Sequence, residues 1–154
     1  MEITKTIVFV LLCYVAVADA KVFGRCDLVR ELKKYHFEQT FLRNWVCLIE
    51  NESRSDTKKI NPYPIVGGTH PSGYKSYGLF QINSKDYCRS GYNGGLCNVK
   101  CEDMLDDNIA KAAQCAQMIF KLHGFKVWYG WNRKCKSHQD KLPSISDCVM
   151  AFAG

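Results

Sequence analysis

Residues 41–53 read FLRNWVCLIENES, and their apolar positions give the first fixed point of the fold. Phe41, Leu42, Trp45, Val46, Leu48 and Ile49 form one stripe at helical spacing, which predicts a helix packed against a core. Trp45, Ile49 and Glu52 stand at i, i+4 and i+7, so an acid continues the buried face at the helix end. A carboxyl in that position loses hydration, which disfavours its charged form and raises its pKa, as a general acid near neutral pH requires. The same spacing also fits a solvated acid at a fraying helix end. Glu50 lies about 200° around the helix from Glu52 and points elsewhere.

Downstream the rhythm changes. Asn61-Pro62-Tyr63-Pro64, Gly67-Gly68 and Pro71-Ser72-Gly73 are turn formers, and they lead into GYKSYGLFQINS, residues 73–84. There Gln81 and Asn83 alternate with apolar Phe80 and Ile82, a strand signal. No acidic residue lies between Asp56 and Asp86, so a partner carboxylate for Glu52 is missing from the stretch that looks most like an active-site strand. On the other side of this region, positions 28, 29, 32 and 35 give a helical rhythm around Cys26 to His36. A further helix is predicted from Ile109, Ala112, Ala113, Ala116, Ile119 and Phe120, capped by Asp106, Asp107 or Asn108 and stopped by Gly124. A short helical segment around Val127 to Cys135 carries Trp128 and Trp131. Helices at both ends with a small sheet between them make an α+β pattern in one folded unit.

Residues 1–20 are expected to be a cleaved leader. Lys5 precedes an apolar run from Ile7 to Val17, too short to span a bilayer, and Ala18-Asp19-Ala20 supplies small residues at the positions a signal peptidase reads. The folded domain is then 21–154. Losing Cys13 with the leader leaves Cys26, Cys47, Cys88, Cys97, Cys101, Cys115, Cys135 and Cys148, an even set that reads as four disulfides in a secreted, extracellular protein. Their pairing stays open at this level. A zinc site is disfavoured, because no CxxC pair exists and His36, His70, His123 and His138 are scattered.

Cleavage also removes Lys5, Glu2 and Asp19, which moves the formal charge from +6 to +7. Spread along the chain, that charge favours attraction to anionic surfaces such as bacterial walls or membranes. It forms no clustered patch of the kind that nucleic-acid binding needs.

Several blocks together resemble one family: KVFGRC at 21–26, NWVC at 44–47 followed by Glu52-Ser53, SYGLFQINS at 76–84, cysteines at 88, 97 and 101, and Trp128-x-x-Trp131 before Cys135. This pattern is similar to the chicken-type (c-type) lysozymes and the related α-lactalbumins, over the whole domain. The resemblance implies a helical lobe and a small antiparallel β-lobe with a sugar-binding cleft between them. It also implies disulfides Cys26–Cys148, Cys47–Cys135, Cys88–Cys101 and Cys97–Cys115.

Carried over position by position, Glu52 falls at the general acid, Trp128 at a tryptophan packed against it, and Gln81 and Asn83 at cleft-lining strand positions. Lysozyme is the standard example of a raised-pKa glutamate beside an ionised aspartate. Here that aspartate's place, just before Tyr-Gly, holds Ser76. A serine supplies no charge to an oxocarbenium-like transition state and is a poor nucleophile without a base.

Other departures follow. An aromatic pair before Cys88 reads Asp86-Tyr87, leaving Tyr87 as the one retained sugar platform. The stretch from Glu52 to Tyr77 is longer than the family norm, and Asp56 at its base is the one acid that could approach Glu52. Asn51-Glu52-Ser53 is a glycosylation sequon overlapping the acid, expected to stay unmodified in the cleft. At the α-lactalbumin calcium loop, Asp103 and Asp106 keep the first positions, but Lys111 and Ala112 replace later carboxylates. No metal and no cofactor is therefore expected.

Three functions fit these readings. One is an active glycosidase in which Glu52 works with a directly attacking water. Another is a monomeric relative that binds peptidoglycan or chitin-like glycan with weak or lost hydrolysis. The third is a cationic antimicrobial or signalling protein without glycan turnover.

Overall fold

A computed structural model of the chain describes residues 19–63 and 73–150, without the side chains of 149 and 150. Residues 1–18 of the expected leader and the middle of the lengthened loop, 64–72, lie outside the described residues.

Helix α1, Arg25–Lys34, buries Leu28, Val29 and Leu32 and puts Asp27, Arg30, Glu31 and Lys34 in ion pairs on its wet face. Helix α2, Leu42–Ser53, buries the predicted stripe from Leu42 to Ile49. Arg54 closes it in the left-handed conformation, at φ 54°. The Arg25 guanidinium meets the Glu50 carboxylate with both ends, at 2.7 and 3.1 Å, so the acid on the outer face of α2 is spent on holding α1.

The β-lobe is a three-stranded antiparallel sheet: β1 Ile60–Pro62, β2 Lys75–Tyr77 and β3 Ile82–Asn83, in the order β1-β2-β3. Ser76 on the central strand faces Asn61 on one side and Asn83 on the other. Pro62, which lacks a donor, sits on an edge strand where the ladder tolerates it. The alternation expected through residues 80–83 is not what forms. Only Ile82 and Asn83 are strand, and every residue from Ser76 to Asn83 is buried. The reason is that the lobe lies against the helical core, so Leu79 and Phe80 are covered too. Phe80 stacks on Phe37 at 5.7 Å and meets Trp45 edge-on at 5.9 Å.

Glycine is required at the corner between β2 and β3. Gly78 has φ +72°, and a Cβ there would lie 1.9 Å from the Met104 carbonyl oxygen.

Helix α3, Ala110–His123, buries Ala112, Ala113, Cys115, Ala116 and Ile119, and Gly124 ends it at φ +69°. Its start differs from the simple cap expected of Asp106 to Asn108. The cap position is Ile109, which has no side-chain acceptor; Asn108 Oδ1 accepts from Ala110 N, and Asp106 Oδ1 accepts from Asn108 N. Asp107 turns away to the Thr57 hydroxyl at 2.6 Å, joining this turn to the base of the β-lobe. Asp103 pairs with Lys111 at 2.9 Å, so an ammonium group stands among the acids where a bound cation would compete with it.

Beyond Gly124 the segment expected at 127–135 divides into a 3-10 turn, Phe125–Val127, and helix α4, Tyr129–Lys134. A last helix, α5, spans Ser146–Met150. Trp45 is the hub of the core, with Phe37, Phe120, Phe125 and Trp128 all within 5.5 Å of it, ring centre to ring centre. All four disulfides have the pairing that the resemblance implies. The expected α+β architecture, with its helical lobe and small antiparallel sheet, is what the chain adopts.

Candidate active site

Between the two lobes lies a cleft of about 530 Å³. Glu52, Ser76, Gln81, Asn83, Tyr87 and Trp128, the six residues singled out from sequence, all line it.

Glu52 reaches the cleft from the last turn of α2. Its Oε1 accepts a hydrogen bond from the Gly130 backbone N–H at 2.5 Å. This contact needs a glycine: a Cβ at position 130 would lie 2.8 Å from Oε1 and 3.0 Å from the carboxyl carbon. Two links press α4 onto α2 so that Gly130 arrives there. Trp131 Nε1 donates to Asn44 Oδ1 at 2.9 Å, and Cys47 is bonded to Cys135. Burial raises the pKa of Glu52 above the ordinary glutamate value, and the backbone N–H groups of Gly130 and Trp131 pull only part of the way back.

Trp128 forms the adjoining floor. It is 4% exposed and donates its indole N–H to the Phe80 carbonyl at 2.7 Å, so one hydrogen bond joins the helical lobe to the β-lobe at the cleft. Ser53, next to the acid, does the same from α2, with its hydroxyl 2.8 Å from the Leu79 carbonyl oxygen.

The sheet side is polar and tightly bonded. Gln81, at φ +51°, donates its amide to the carbonyls of Lys59 at 3.1 Å and Gly78 at 2.8 Å, and accepts from Asn61 Nδ2 at 2.9 Å. That side chain therefore braces the corner between strands as well as lining the cleft. Asn83 Oδ1 accepts from the Asp86 backbone N–H at 2.8 Å. Burial, helped by neighbouring Asp86 and Tyr63, raises the pKa of the Tyr87 phenol, which stays a neutral donor.

Among the described residues lining the cleft, Glu52 is the only carboxylate. Asp56 does not reach it; its Oδ1 caps the turn at Lys58 N, at 2.8 Å. Asp86 is exposed and is not one of the lining residues. Asn51 does line the cleft, with its amide donating to the Cys47 carbonyl one turn back at 2.8 Å. No group of three or more His, Cys, Asp or Glu side chains gathers as a metal site among the described residues.

Several lining residues were not legible beforehand. Tyr63 comes from the lengthened loop, while Lys126, Tyr129, Arg133 and Lys134 come from the segment around α4. The run KVWYGWNRK, aromatic and basic around Trp128, was the available signal for the second group. Tyr63 had none beyond its turn-rich setting.

The model of the C-type lysozyme/alpha-lactalbumin family matches residues 21–148. A protein named lysozyme from Bombyx mori is 49% identical over 145 residues, covering 94% of this chain and 98% of that protein. Another so named from Hyalophora cecropia is 46% identical over 143 residues, covering 92% and 96%. Among solved structures, a canine milk lysozyme superposes with a TM-score of 0.66 at 32% identity, covering 85% of this chain and 98% of that one. With its fold, four disulfides and a partly buried glutamate in the cleft between the lobes, the chain belongs to the C-type lysozyme/α-lactalbumin family.

Proposed function

We propose that this protein binds N-acetylglucosamine-containing glycan of the peptidoglycan or chitin type in the Glu52–Ser76 cleft, with hydrolysis weak or lost. The observation that carries the reading is the single carboxylate. Glu52 has the desolvated setting of a general acid, and Ser76 stands on β2 without a charge to offer the developing oxocarbenium ion. Loss of one such electrostatic partner costs roughly 10²–10³-fold in rate. Gln81, Asn83, Tyr87 and Trp128 supply polar and aromatic surface for sugar rings. Four disulfides and a net positive charge fit a monomeric domain, 21–154, released outside the cell after loss of residues 1–20 and drawn to bacterial surfaces.

A second reading has its own support, since relatives 49% and 46% identical are named lysozyme and the acid is retained. In that route Glu52 protonates the leaving oxygen as the glycosidic bond breaks. A water in the space beside the small Ser76 side chain attacks the sugar from the opposite face, inverting the anomeric centre, and passes its proton to solvent water, from which Glu52 is reprotonated.

Turnover of bacterial walls and binding to the same walls, measured for the native protein and for Ser76→Asp, separates the two. The expected result is binding by both and turnover roughly 10²–10³-fold faster in the variant. Native turnover close to the variant's rate would overturn the binding reading in favour of the water route.

A further inference from the structure

Gln139 stands in the 3-10 turn Gln139–Lys141, outside the cleft lining, and its amide is the outer end of a network that leads to the site. It exchanges hydrogen bonds with Asn44, buried on α2. Asn44 Nδ2 donates to Gln139 Oε1 at 3.2 Å, and Gln139 Nε2 donates back to Asn44 Oδ1 at 3.1 Å. The second N–H of Gln139 goes to the Cys135 carbonyl at the end of α4, at 2.9 Å. Asn44 Oδ1 has one lone pair left, and the Trp131 indole N–H takes it at 2.9 Å. The two amides thus fix each other's orientation. Turned over, Asn44 would set its NH2 against the indole N–H, and Gln139 would set an oxygen against the Cys135 carbonyl.

Trp131 follows Gly130 directly, so the network grips α4 one residue from the N–H that meets Glu52. The disulfide Cys47–Cys135 grips the same helix just past its last residue. One link fixes a point on a helix and leaves its rotation free; a second, about one turn away, fixes both. Rotation matters here, because a short hydrogen bond to one carboxylate oxygen weakens steeply once its angle is lost. We infer that Asn44 and Gln139 are positioning residues for the acid: locked together, they set the rotation of α4 that keeps the Gly130 N–H on the Glu52 carboxylate. Neither lines the cleft. The role is independent of whether the cleft turns glycan over or only binds it. Gln139 is exposed, so water competes for its bonds and Asn44 carries the larger share.

The test is NMR on the native protein and four variants, reading hydrogen exchange at the Gly130 amide and the pH titration of the Glu52 carboxyl carbon. Gln139→Met removes the outer amide, and Asn44→Leu removes the oxygen that faces the indole. Asn44→Asp keeps that oxygen. Gln117→Met is the control: it deletes an amide that donates to the Tyr35 carbonyl at 2.7 Å, a bond that involves neither α2 nor α4. The other ionisable side chains of the cleft, Tyr63 and Tyr87 on the β-lobe side and Lys126, Tyr129, Arg133 and Lys134 around α4, are kept throughout.

Gln139→Met should speed Gly130 exchange about threefold to tenfold and Asn44→Leu by more, with Asn44→Asp close to the parent. Glu52 should bind its proton about threefold more tightly in Gln139→Met, since the ionised carboxylate loses a donor while burial persists. If Asn44→Leu folds poorly, Gln139→Met and Asn44→Asp carry the comparison. A change in Asn44→Leu alone supports Asn44 and removes Gln139 from the role. Unchanged exchange and titration in both overturn the inference. So does weaker proton binding, which would mean that the network acts by keeping water out, and so do equal changes in Gln117→Met, which would mark a general effect of lowered stability.

Discussion

Glu52 takes its character from two opposing surroundings: the apolar end of α2, which strips water from its carboxyl, and the Gly130 N–H, which returns one hydrogen bond. Burial dominates, so the folded protein holds the proton more tightly than the unfolded chain does. A raised carboxyl stabilises the fold below the ordinary glutamate pKa, and that contribution is lost as the pH rises through the raised value. Replacing Glu52 with Gln keeps an oxygen for Gly130 and removes the ionisation. Thermal unfolding across a pH series should find Glu52→Gln more stable than the parent at neutral pH, with the gap closing on acidification below the ordinary glutamate pKa. A parent that stays the more stable of the two at neutral pH would contradict a desolvated carboxyl. Half of this site was legible from spacing alone, since Trp45, Ile49 and Glu52 share a face. The Gly130 contact was not, because it joins residues 78 apart in the chain through the docking of α4, which no local pattern encodes.

At the scale of elements, the corner between β2 and β3 depends on a side chain. Gln81 makes three hydrogen bonds there, to the carbonyls of Lys59 and Gly78 and from Asn61. A leucine of similar size would leave these buried partners unsatisfied, and we expect Gln81→Leu to destabilise the protein by about 2–4 kcal/mol. Hydrogen exchange should register the loss first at Ile60–Pro62 and Lys75–Tyr77, with α2 still protected. Equal loss of protection in α2 would mean that the corner is no separate unit.

The helices were readable because a 3.6-residue stripe survives in one sequence: Leu28, Val29 and Leu32 in α1, and Ala112 to Ile119 in α3. The strands were read less well. A two-residue strand with both residues buried has no alternation to show, and a positive φ at Gln81 breaks the pattern just where it was expected. The caps of α3 were near the mark in residue type and wrong in detail, because Asp107 had a tertiary partner in Thr57.

For the whole molecule, the disulfides decide how firmly the lobes and terminal helices are held. Cys47–Cys135 closes a separation of 88 residues and pins the helix that carries Gly130 to the helix that carries Glu52. Removing it as Cys47→Ala/Cys135→Ala should cost about 2–4 kcal/mol. Denaturant titration reads that loss, and a variant with unchanged midpoint would show that packing of Trp131 on Asn44 suffices. The pairing itself was supplied by resemblance, because no rule of spacing selects one set of partners from many.

The Lys111–Asp103 pair has a consequence at this largest scale. A mobile counter-ion neutralises its loop only to the extent that the surrounding fluid supplies it. Lys111 is attached to the same chain, so its ammonium is present at a local concentration fixed by tether length rather than by the medium. The exposed pair is open to screening by salt, but it cannot be titrated away by dilution or chelation. The start of α3 is in this respect independent of the mineral content of the fluid in which the protein works.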